Sequence, residues 1–172
     1  MIVKEIVMSV RFGLGDAEAA VYSDSEIIES INSVLRYANT ALVNLNSTIP
    51  RKKALLTPAN GEVPLPDDFI AMASLDDEDV YLADYEIVGT KLYCDIPLNI
   101  TYFSTFPSVT ALSDTLPLPN YFYELLVRFT ESFITKTIDR DMFPQLIYKE
   151  ISYATSGREY AYLTRPLQFV IE

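Results

Sequence analysis

The apolar residues at the start of the chain recur at helical spacing and end at a turn signal. Five of them lie three or four residues apart, as on one face of a helix: Val3, Ile6, Val7, Val10 and Leu14. Gly15 follows where a helix C-terminal cap is expected, because glycine adopts the left-handed conformation of that position without strain. The pattern therefore predicts a helix over 3–14, with Asp16 opening the next loop.

A longer stripe of apolar residues predicts a second helix over 24–45. Ser23 and Glu26 have the spacing of a capping box, in which each side chain bonds a backbone N–H of the other residue. Asn32 and Asn39 lie at the edge of the apolar stripe. They are expected to face solvent or to hydrogen-bond a neighbouring loop or chain.

The period changes to that of β-strands between Lys53 and Ser104, where Pro, Gly and Asp punctuate short runs rich in β-forming residues. YEIVGTKLYC predicts a hairpin whose turn uses Gly89. LNITYF alternates apolar and other residues, as in a half-buried strand. A small antiparallel sheet is therefore predicted as an insertion over 53–104.

Helical spacing returns after a proline-bearing connector and predicts helices over 120–138 and 142–156, with Gly157 as the stop. The predicted class is α+β: a helical bundle from the N- and C-terminal segments with an inserted sheet. It forms a single domain over 1–157, followed by an extended tail over 158–172.

The predicted tail is rich in apolar residues, which are costly to leave in water. It either packs on its own domain or docks on another chain, as an added strand or in a groove. The residues expected to bind a partner are Tyr160, Tyr162, Leu163, Leu167, Phe169, Val170 and Ile171.

Composition excludes several classes of function. No apolar run of the 172 residues approaches the roughly 20 that span a bilayer, so no membrane helix is expected. Glu5 lies among the apolar residues of the N-terminus and no small-residue cleavage site follows, so no signal peptide is expected either. The net charge is -11, with 24 acidic against 13 basic residues, which disfavours binding to nucleic acid.

Without histidine there is no Ser-His or Cys-His nucleophile pair and no imidazole metal site. The single cysteine, Cys94, permits no internal disulfide and is expected to be a small buried residue in a strand.

The stretch LPDDF places Asp67 and Asp68 side by side after a proline. A proline followed by aspartates that bond nearby backbone N–H groups is typical of a tight turn, which here would direct Phe69 into the core. The alternative is a carboxylate pair for general acid–base chemistry, with the pKa of one raised by the other. Adjacent turn residues point apart and no histidine or lysine is expected nearby, so the sequence favours the turn.

Two charge runs remain. The acidic run consists of Asp76, Asp77, Glu78 and Asp79. It lacks the spaced ligands and central glycine of an EF-hand loop, so it predicts a solvated loop that lines a channel or meets a basic partner, without a metal.

The basic run consists of Arg51, Lys52 and Lys53. It predicts a solvated loop or a contact with phosphate or an acidic neighbouring subunit.

In their order, these segments resemble the portal-adaptor proteins of tailed bacteriophages, also called head-to-tail connector or head-completion proteins. IVKEIVMSVRFGLGD followed by YSDSEIIESINSVLRYAN resembles the opening of that family. LPDDF, the VGTKLY hairpin and the ITYF strand resemble its middle, and LPLPNYFYELLVRFTESF resembles its return to the helical bundle. The resemblance covers most of the chain.

The resemblance implies a non-enzymatic structural protein of the virion neck or tail, assembled in the host cytoplasm. Its copies would form a ring of twelve beneath the portal protein, continue the DNA channel, and present a lower surface to a tail or nozzle protein. No cofactor and no membrane contact are implied. Carboxylates lining the ring would repel phosphate, so that DNA passes without specific binding.

Two other functions remain open from the sequence. One is a different neck or tail-completion component, such as a tail terminator, which differs from an adaptor in its partner. The other is a small carboxylate-dependent hydrolase that uses Asp67, Asp68 or Glu124. An enzyme needs a concave pocket with converging acids, whereas an adaptor needs a large surface for head-to-tail contact.

Overall fold

The computed structural model describes residues 1–75 and 84–163, and the secondary structure of these ranges confirms the α+β class. The helices are α1 (Val3–Leu14), α2 (Asp24–Asn44), α3 (Tyr123–Thr135) and α4 (Phe143–Leu163). The strands are β1 (Arg51–Leu56), β2 (Glu62–Pro64), β3 (Phe69–Leu75), β4 (Tyr85–Val88), β5 (Lys91–Cys94) and β6 (Leu98–Ser104).

The chain forms two compact units. Met1–Leu45 and Ser108–Glu172 make one unit, here called the helical unit, and Asn46–Pro107 make the other, called the sheet unit. The helical unit thus combines both ends of the chain, and the strands of the sheet unit are inserted between them, as the sequence predicts.

The first two helices begin and end as their local sequence predicts. Gly15 caps α1 in the left-handed conformation, with φ 69°. At the start of α2, the Ser23 backbone N–H donates to the Glu26 carboxylate at 2.8 Å, and the Glu26 N–H donates to the Ser23 hydroxyl at 3.3 Å. This capping box satisfies backbone groups that the first turn of a helix leaves without partners.

An aromatic cluster around Phe143 joins three helices of the helical unit. The Phe143 side chain is only 1% exposed. Its ring centroid lies 5.4 Å from those of Tyr37 on α2 and Phe129 on α3, and 5.5 Å from that of Phe133. Edge-to-face and tilted ring contacts at such distances add to the hydrophobic stabilisation of a core. The residue that opens α4 therefore fixes it against α2 and α3.

The connector before α3 completes the N-terminus of α1. The Val3 and Lys4 backbone N–H groups donate to the carbonyls of Asp114 and Leu112, at 3.0 and 2.9 Å. The Leu116 N–H donates back to the Met1 carbonyl at 2.9 Å. The first N–H groups of a helix have no partners within the helix, so these bonds from a distant segment take the place of a side-chain cap.

Asn32 fixes the same connector to α2. Its side-chain amide donates to the Val109 carbonyl at 2.8 Å and accepts from the Val109 N–H at 2.9 Å. Asn39 is also buried, at 6% exposure. The predicted contact with a neighbouring loop is therefore correct for Asn32, which is half-buried, and the predicted exposure to solvent is wrong for Asn39.

The sheet unit contains two antiparallel sheets where the sequence predicted one. Their strand orders are β1-β6-β3 and β2-β5-β4. Val88 pairs with Lys91, which leaves a two-residue turn in which Gly89 has φ 61°, so the hairpin is confirmed. Apolar side chains of both sheets share one core: Leu56, Val63, Leu92, Cys94, Leu98, Ile100 and Tyr102. Cys94 is thus buried in a strand as predicted, and burial raises the pKa of its thiol.

Several element boundaries differ from the prediction. The first strand begins at Arg51 rather than Lys53. A 3₁₀ turn over Asn120–Phe122 precedes α3, and this helix ends at Thr135, short of the predicted 138. The last helix continues through Gly157 to Leu163, so the predicted stop is wrong. A glycine inside a helix costs about 1 kcal/mol relative to alanine. Good helix formers follow it here, which explains why the helix does not end.

Candidate functional site

The LPDDF stretch forms the turn that the sequence favours. The Phe69 backbone N–H donates to the Pro66 carbonyl at 2.9 Å, which closes a four-residue turn. Phe69 then begins β3, and its ring stacks on that of Tyr102 with centroids 5.7 Å apart. The turn therefore directs Phe69 against the core of the sheet unit.

Asp68 is held by two side chains from other strands. Its carboxylate accepts from the Lys52 ammonium at 2.5 Å and from the Tyr102 hydroxyl at 3.0 Å. The hydrogen bond from Lys52, followed by that from Tyr102, lowers the pKa of the Asp68 carboxyl below its ordinary value. Burial, and then the bond to Asp68, raises the pKa of the Tyr102 hydroxyl. The expectation that no lysine lies near the turn is wrong, because the strand pairing brings Lys52 to it.

The two carboxylates of the turn have different surroundings. Asp67 is exposed and lines a cavity of about 200 Å³ together with Leu65, Gly89 and Thr90. Asp68 instead faces Lys52 and Tyr102. A general acid needs a raised pKa, whereas that of Asp68 is lowered. These contacts favour a structural role for the pair.

The basic run lies in β1, so the prediction of a solvated loop is wrong. Besides the pair of Lys52 with Asp68, the Arg51 guanidinium donates to the backbone carbonyl and side-chain oxygen of Asn46 at 2.7 and 2.8 Å. It also lies over the Phe103 ring, 5.4 Å from the centroid. Lys53 likewise has a partner within the structure. These cations contribute to the local structure of the sheet unit.

The remaining predicted site residues fall at or beyond the limits of the described chain. Tyr160, Tyr162 and Leu163 belong to the last turns of α4. The other predicted tail residues lie outside the described residues: Leu167, Phe169, Val170 and Ile171. The acidic run lies outside them as well: Asp76, Asp77, Glu78 and Asp79.

An ionic cluster around the buried Arg11 and Asp16 joins α1 to the start of α2, and no pattern in the sequence predicted it. Arg11 donates to the carboxylates of Asp16 at 2.9 Å and Asp24 at 2.5 Å, and to the Tyr22 carbonyl at 2.8 Å. Asp16 also accepts from three backbone N–H groups, those of Ala20, Val21 and Tyr22. These backbone bonds, first that from Tyr22, lower the pKa of the Asp16 carboxyl, and the charge of Arg11 lowers it further. The cluster orders the loop between the two helices.

A groove of about 540 Å³ lies between α3 and α4. Its lining consists of Tyr121, Glu124, Leu125, Arg128, Glu150, Tyr153 and Ala154. Arg128 pairs with Glu150 across the groove at 3.0 Å, and not with Glu124, which lies four residues before it on α3. Glu124 is exposed and has no ionic or hydrogen-bonding partner among the described residues. The groove therefore combines two tyrosines and an apolar floor with a carboxylate at its rim.

The exposed face of α1 carries two large apolar side chains. Met8 is 61% exposed and Phe12 is 84% exposed. With Lys4, which is also exposed, they are spaced four residues apart and lie in one row along the helix. This row, Lys4–Met8–Phe12, is called the α1 ridge below.

A further concavity in the sheet unit is acidic. It has a volume of about 330 Å³ and is lined in part by Asp84, Glu86 and Asp95. Within residues 1–75 and 84–163, neither these carboxylates nor any other set of three or more potential ligands is placed to hold a metal ion.

Comparison with known proteins gives no family for the chain. No protein-family model matches the sequence. No curated protein is significantly similar to it. Within the part of the chain that the structure describes, no helix has the length and apolar character needed to cross a membrane.

Proposed function

We propose that this chain is a structural virion protein, a portal adaptor whose copies form a ring between the portal and the tail of a phage and continue the DNA channel. The order of sequence segments described above supports the proposal. The structural observation that supports it most is the exposure of large apolar side chains on two helices of the helical unit, α1 and α4.

These two apolar surfaces have different positions in the helical unit. Met8 and Phe12 lie on α1, which packs against α3 and α2, whereas Tyr148 and Tyr153 lie on α4, which packs against α2. Exposed apolar surface is a feature of protein–protein interaction sites. Two different surfaces on one subunit allow a head-to-tail contact, which closes into a ring when the rotation between copies permits.

The excess of acidic residues fits a channel for DNA. With a net charge of -11, the subunits of a ring would present a negative lumen that repels phosphate and lets DNA slide. The candidate channel charges are the acidic run at 76–79. The basic run is a weaker candidate for contact with phosphate or a neighbouring subunit, because Arg51 and Lys52 already have partners in the sheet unit.

The partner on the head side would be the portal protein, and that on the other side a tail or nozzle protein. The C-terminal segment is proposed to dock on the portal or on a neighbouring subunit. It begins with Tyr160, Tyr162 and Leu163 at the end of α4 and continues through the apolar residues after Pro166.

The contacts of the aspartates make a carboxylate-dependent hydrolase the weaker proposal. Asp68 is ion-paired and has a lowered pKa, and Asp67 faces a different cavity. The third candidate acid, Glu124, lies in a groove with an Arg128–Glu150 ion pair, not beside a second unpaired acid. A tail-terminator role remains as the alternative assembly function.

The adaptor proposal is tested by mass measurement and imaging. The mass of the purified full-length chain gives its assembly state, and negative-stain images show whether it binds the portal protein of its own phage. We expect a ring of density on the portal, coaxial with its channel. A chain that stays monomeric and never binds the portal would contradict the proposal. A ring on isolated tails with none on the portal would support the tail-terminator alternative.

A further inference from the structure

We propose that the α1 ridge of one copy docks in the α3–α4 groove of the next copy, with Phe12 on the groove floor and Lys4 paired with Glu124. This contact rests on the proposed ring and specifies its subunit interface. It follows from the apolar residues and unpaired charges of the two surfaces.

The ridge has the form of a docking element. Its first and last residues are eight residues apart, about 12 Å along the helix at 1.5 Å per residue. Phe12 has the largest exposed fraction of any large apolar side chain in the described residues, 84%. Lys4 is exposed and has no side-chain partner among the residues that the structure describes. The ridge therefore presents an aromatic ring, a thioether and an unpaired cation in one row.

The groove is complementary to the ridge in character. Leu125 and Ala154 supply an apolar floor, and Tyr121 and Tyr153 supply aromatic surface. A thioether and an aromatic ring both make favourable contacts with tyrosine rings. Glu124 supplies the unpaired carboxylate, because Arg128 is occupied by Glu150. A cation at one end of an apolar ridge and a carboxylate at the rim of an apolar groove fix the direction of docking.

The ridge cannot reach the groove of its own copy. Another side of α1 is fixed to α3, where the Ser9 and Tyr123 hydroxyls are 2.6 Å apart and the Tyr123 hydroxyl donates to the Glu5 carbonyl at 3.1 Å. The occupant we infer is therefore a second copy. Ridge and groove are different surfaces, so each copy donates one ridge and receives another, which is the head-to-tail arrangement a ring requires.

The inference is tested by charge reversal on the full-length chain. In the Lys4→Glu variant, residues 4 and 124 would both be acidic, and in the Glu124→Lys variant both would be basic. Because like charges repel across the contact, each variant alone should assemble at least about tenfold more weakly than wild type. The double variant restores one opposite pair per interface. A one-to-one mixture of the single variants also does so, because in an alternating ring every interface joins opposite charges. We expect assembly to return in both cases. Sedimentation velocity, with and without portal, measures it.

Phe12→Ala tests the apolar part of the contact and should also weaken assembly at least about tenfold. Matched controls are Val21→Ala, at a side chain that is 71% exposed, and Glu18→Lys, in the exposed loop after α1. Both controls should assemble like wild type. All of the substituted side chains are exposed, so circular dichroism should report unchanged helix content.

The outcomes separate the two proposals. Assembly restored by the mixture and the double variant supports the ridge-in-groove contact. Rings that form equally well from every variant would overturn this contact and leave the adaptor proposal standing. A wild-type chain that forms no assembly, with or without portal, would overturn both.

Discussion

Arg11 and Asp16 form an ion pair at 2.9 Å inside the helical unit, with side chains only 9% and 2% exposed. Arg11 lies on α1, and Asp16 begins the loop that leads to α2. Buried charges are stable only when they are paired and hydrogen-bonded. Here Asp16 has three backbone donors in addition to the guanidinium, so the pair defines the path of the loop.

Replacing Arg11 should strongly destabilise the protein. Arg11→Met keeps much of the side-chain volume but leaves Asp16 as a buried carboxylate without its cation. Breaking a buried pair in this way costs about 3 kcal/mol of unfolding free energy. Urea unfolding followed by circular dichroism measures the loss. Lys149→Met, at an exposed position of α4, is the control and should change stability by less than about 0.5 kcal/mol. An equal loss in both variants would contradict the role of the cluster.

The stability contributed by Asp16 should depend on pH with a defined sign. Its pKa is lowered in the folded state, so the native carboxylate is stabilised above its ordinary pKa of 3.8, and this contribution is lost as pH falls through the lower folded pKa. Asp16→Asn should therefore destabilise the protein most at neutral pH, with the difference from wild type shrinking below pH 3.8. Unfolding titrations from pH 7 to 2.5 test this.

Glu131 on α3 should show the opposite dependence. Burial raises the pKa of its carboxyl above the ordinary value of 4.5, so ionisation destabilises the folded state as pH rises through that range. Glu131→Gln should be more stable than wild type at pH 7, and the difference should vanish toward acidic pH. The same unfolding titration serves for Asp16→Asn and Glu131→Gln. If both substitutions changed the unfolding free energy in the same direction at pH 7, the opposite pKa shifts of the two carboxyls would be contradicted.

The two aspartates of the turn should respond differently to substitution. Asp68→Asn loses the ion pair with Lys52, which is partly exposed, so we expect a loss of about 1 kcal/mol of unfolding free energy. Asp67→Asn, on the exposed side of the turn, should change stability little. The folded double variant should support normal particle maturation. A maturation block would restore the hypothesis of carboxylate chemistry.

The two hydrogen bonds between Asn32 and Val109 should hold the connector to α2. Asn32→Ala leaves both Val109 backbone groups without these partners and should cost about 2 kcal/mol of unfolding free energy. Asn32→Asp keeps the acceptor for the Val109 N–H but turns a carboxylate oxygen, which cannot donate, toward the Val109 carbonyl, so it should cost at least as much as Asn32→Ala. Thermal unfolding measures both losses, and equal stability of all three proteins would show that the connector is held by other contacts.

Deleting residues 159–172 should weaken docking to the portal more than it weakens the fold. The deletion removes the apolar tail and the last turn of α4, while the aromatic cluster around Phe143 remains. Binding to immobilised portal, compared with the unfolding midpoint, measures the two effects separately. Unchanged binding by the truncated chain would reject the docking role.

The parts of the fold that depend on neighbouring residues were predictable from sequence. Ser23 and Glu26 form their capping box because the partners are three residues apart, and Gly89 forms its turn within one hairpin. The apolar periods placed the four helices of the described residues and the alternation of β6 from Leu98 to Tyr102, whereas the next residue, Phe103, is buried as well. Local signals failed at Gly157, where the cost of one glycine was smaller than the helical preference of the residues around it.

The side-chain sites were harder to predict because their partners are distant along the chain. Lys52 and Asp68 meet only through strand pairing, and Asn32 meets a connector 77 residues away. One signal for the ionic cluster was present: Arg11 follows Val10 and lies four residues after Val7 on the apolar face of α1. A cation on such a face requires a buried anion, which the sequence alone does not identify.

The discontinuity of the helical unit has a consequence for biosynthesis. The sheet unit is one continuous segment, Asn46–Pro107, whereas the helical unit needs α3 and α4 to complete the core of α1 and α2. On the ribosome, the strands can therefore pair while the two N-terminal helices still lack half of their core. Chaperones that bind nascent apolar helices are expected to act on α1 and α2 during that interval.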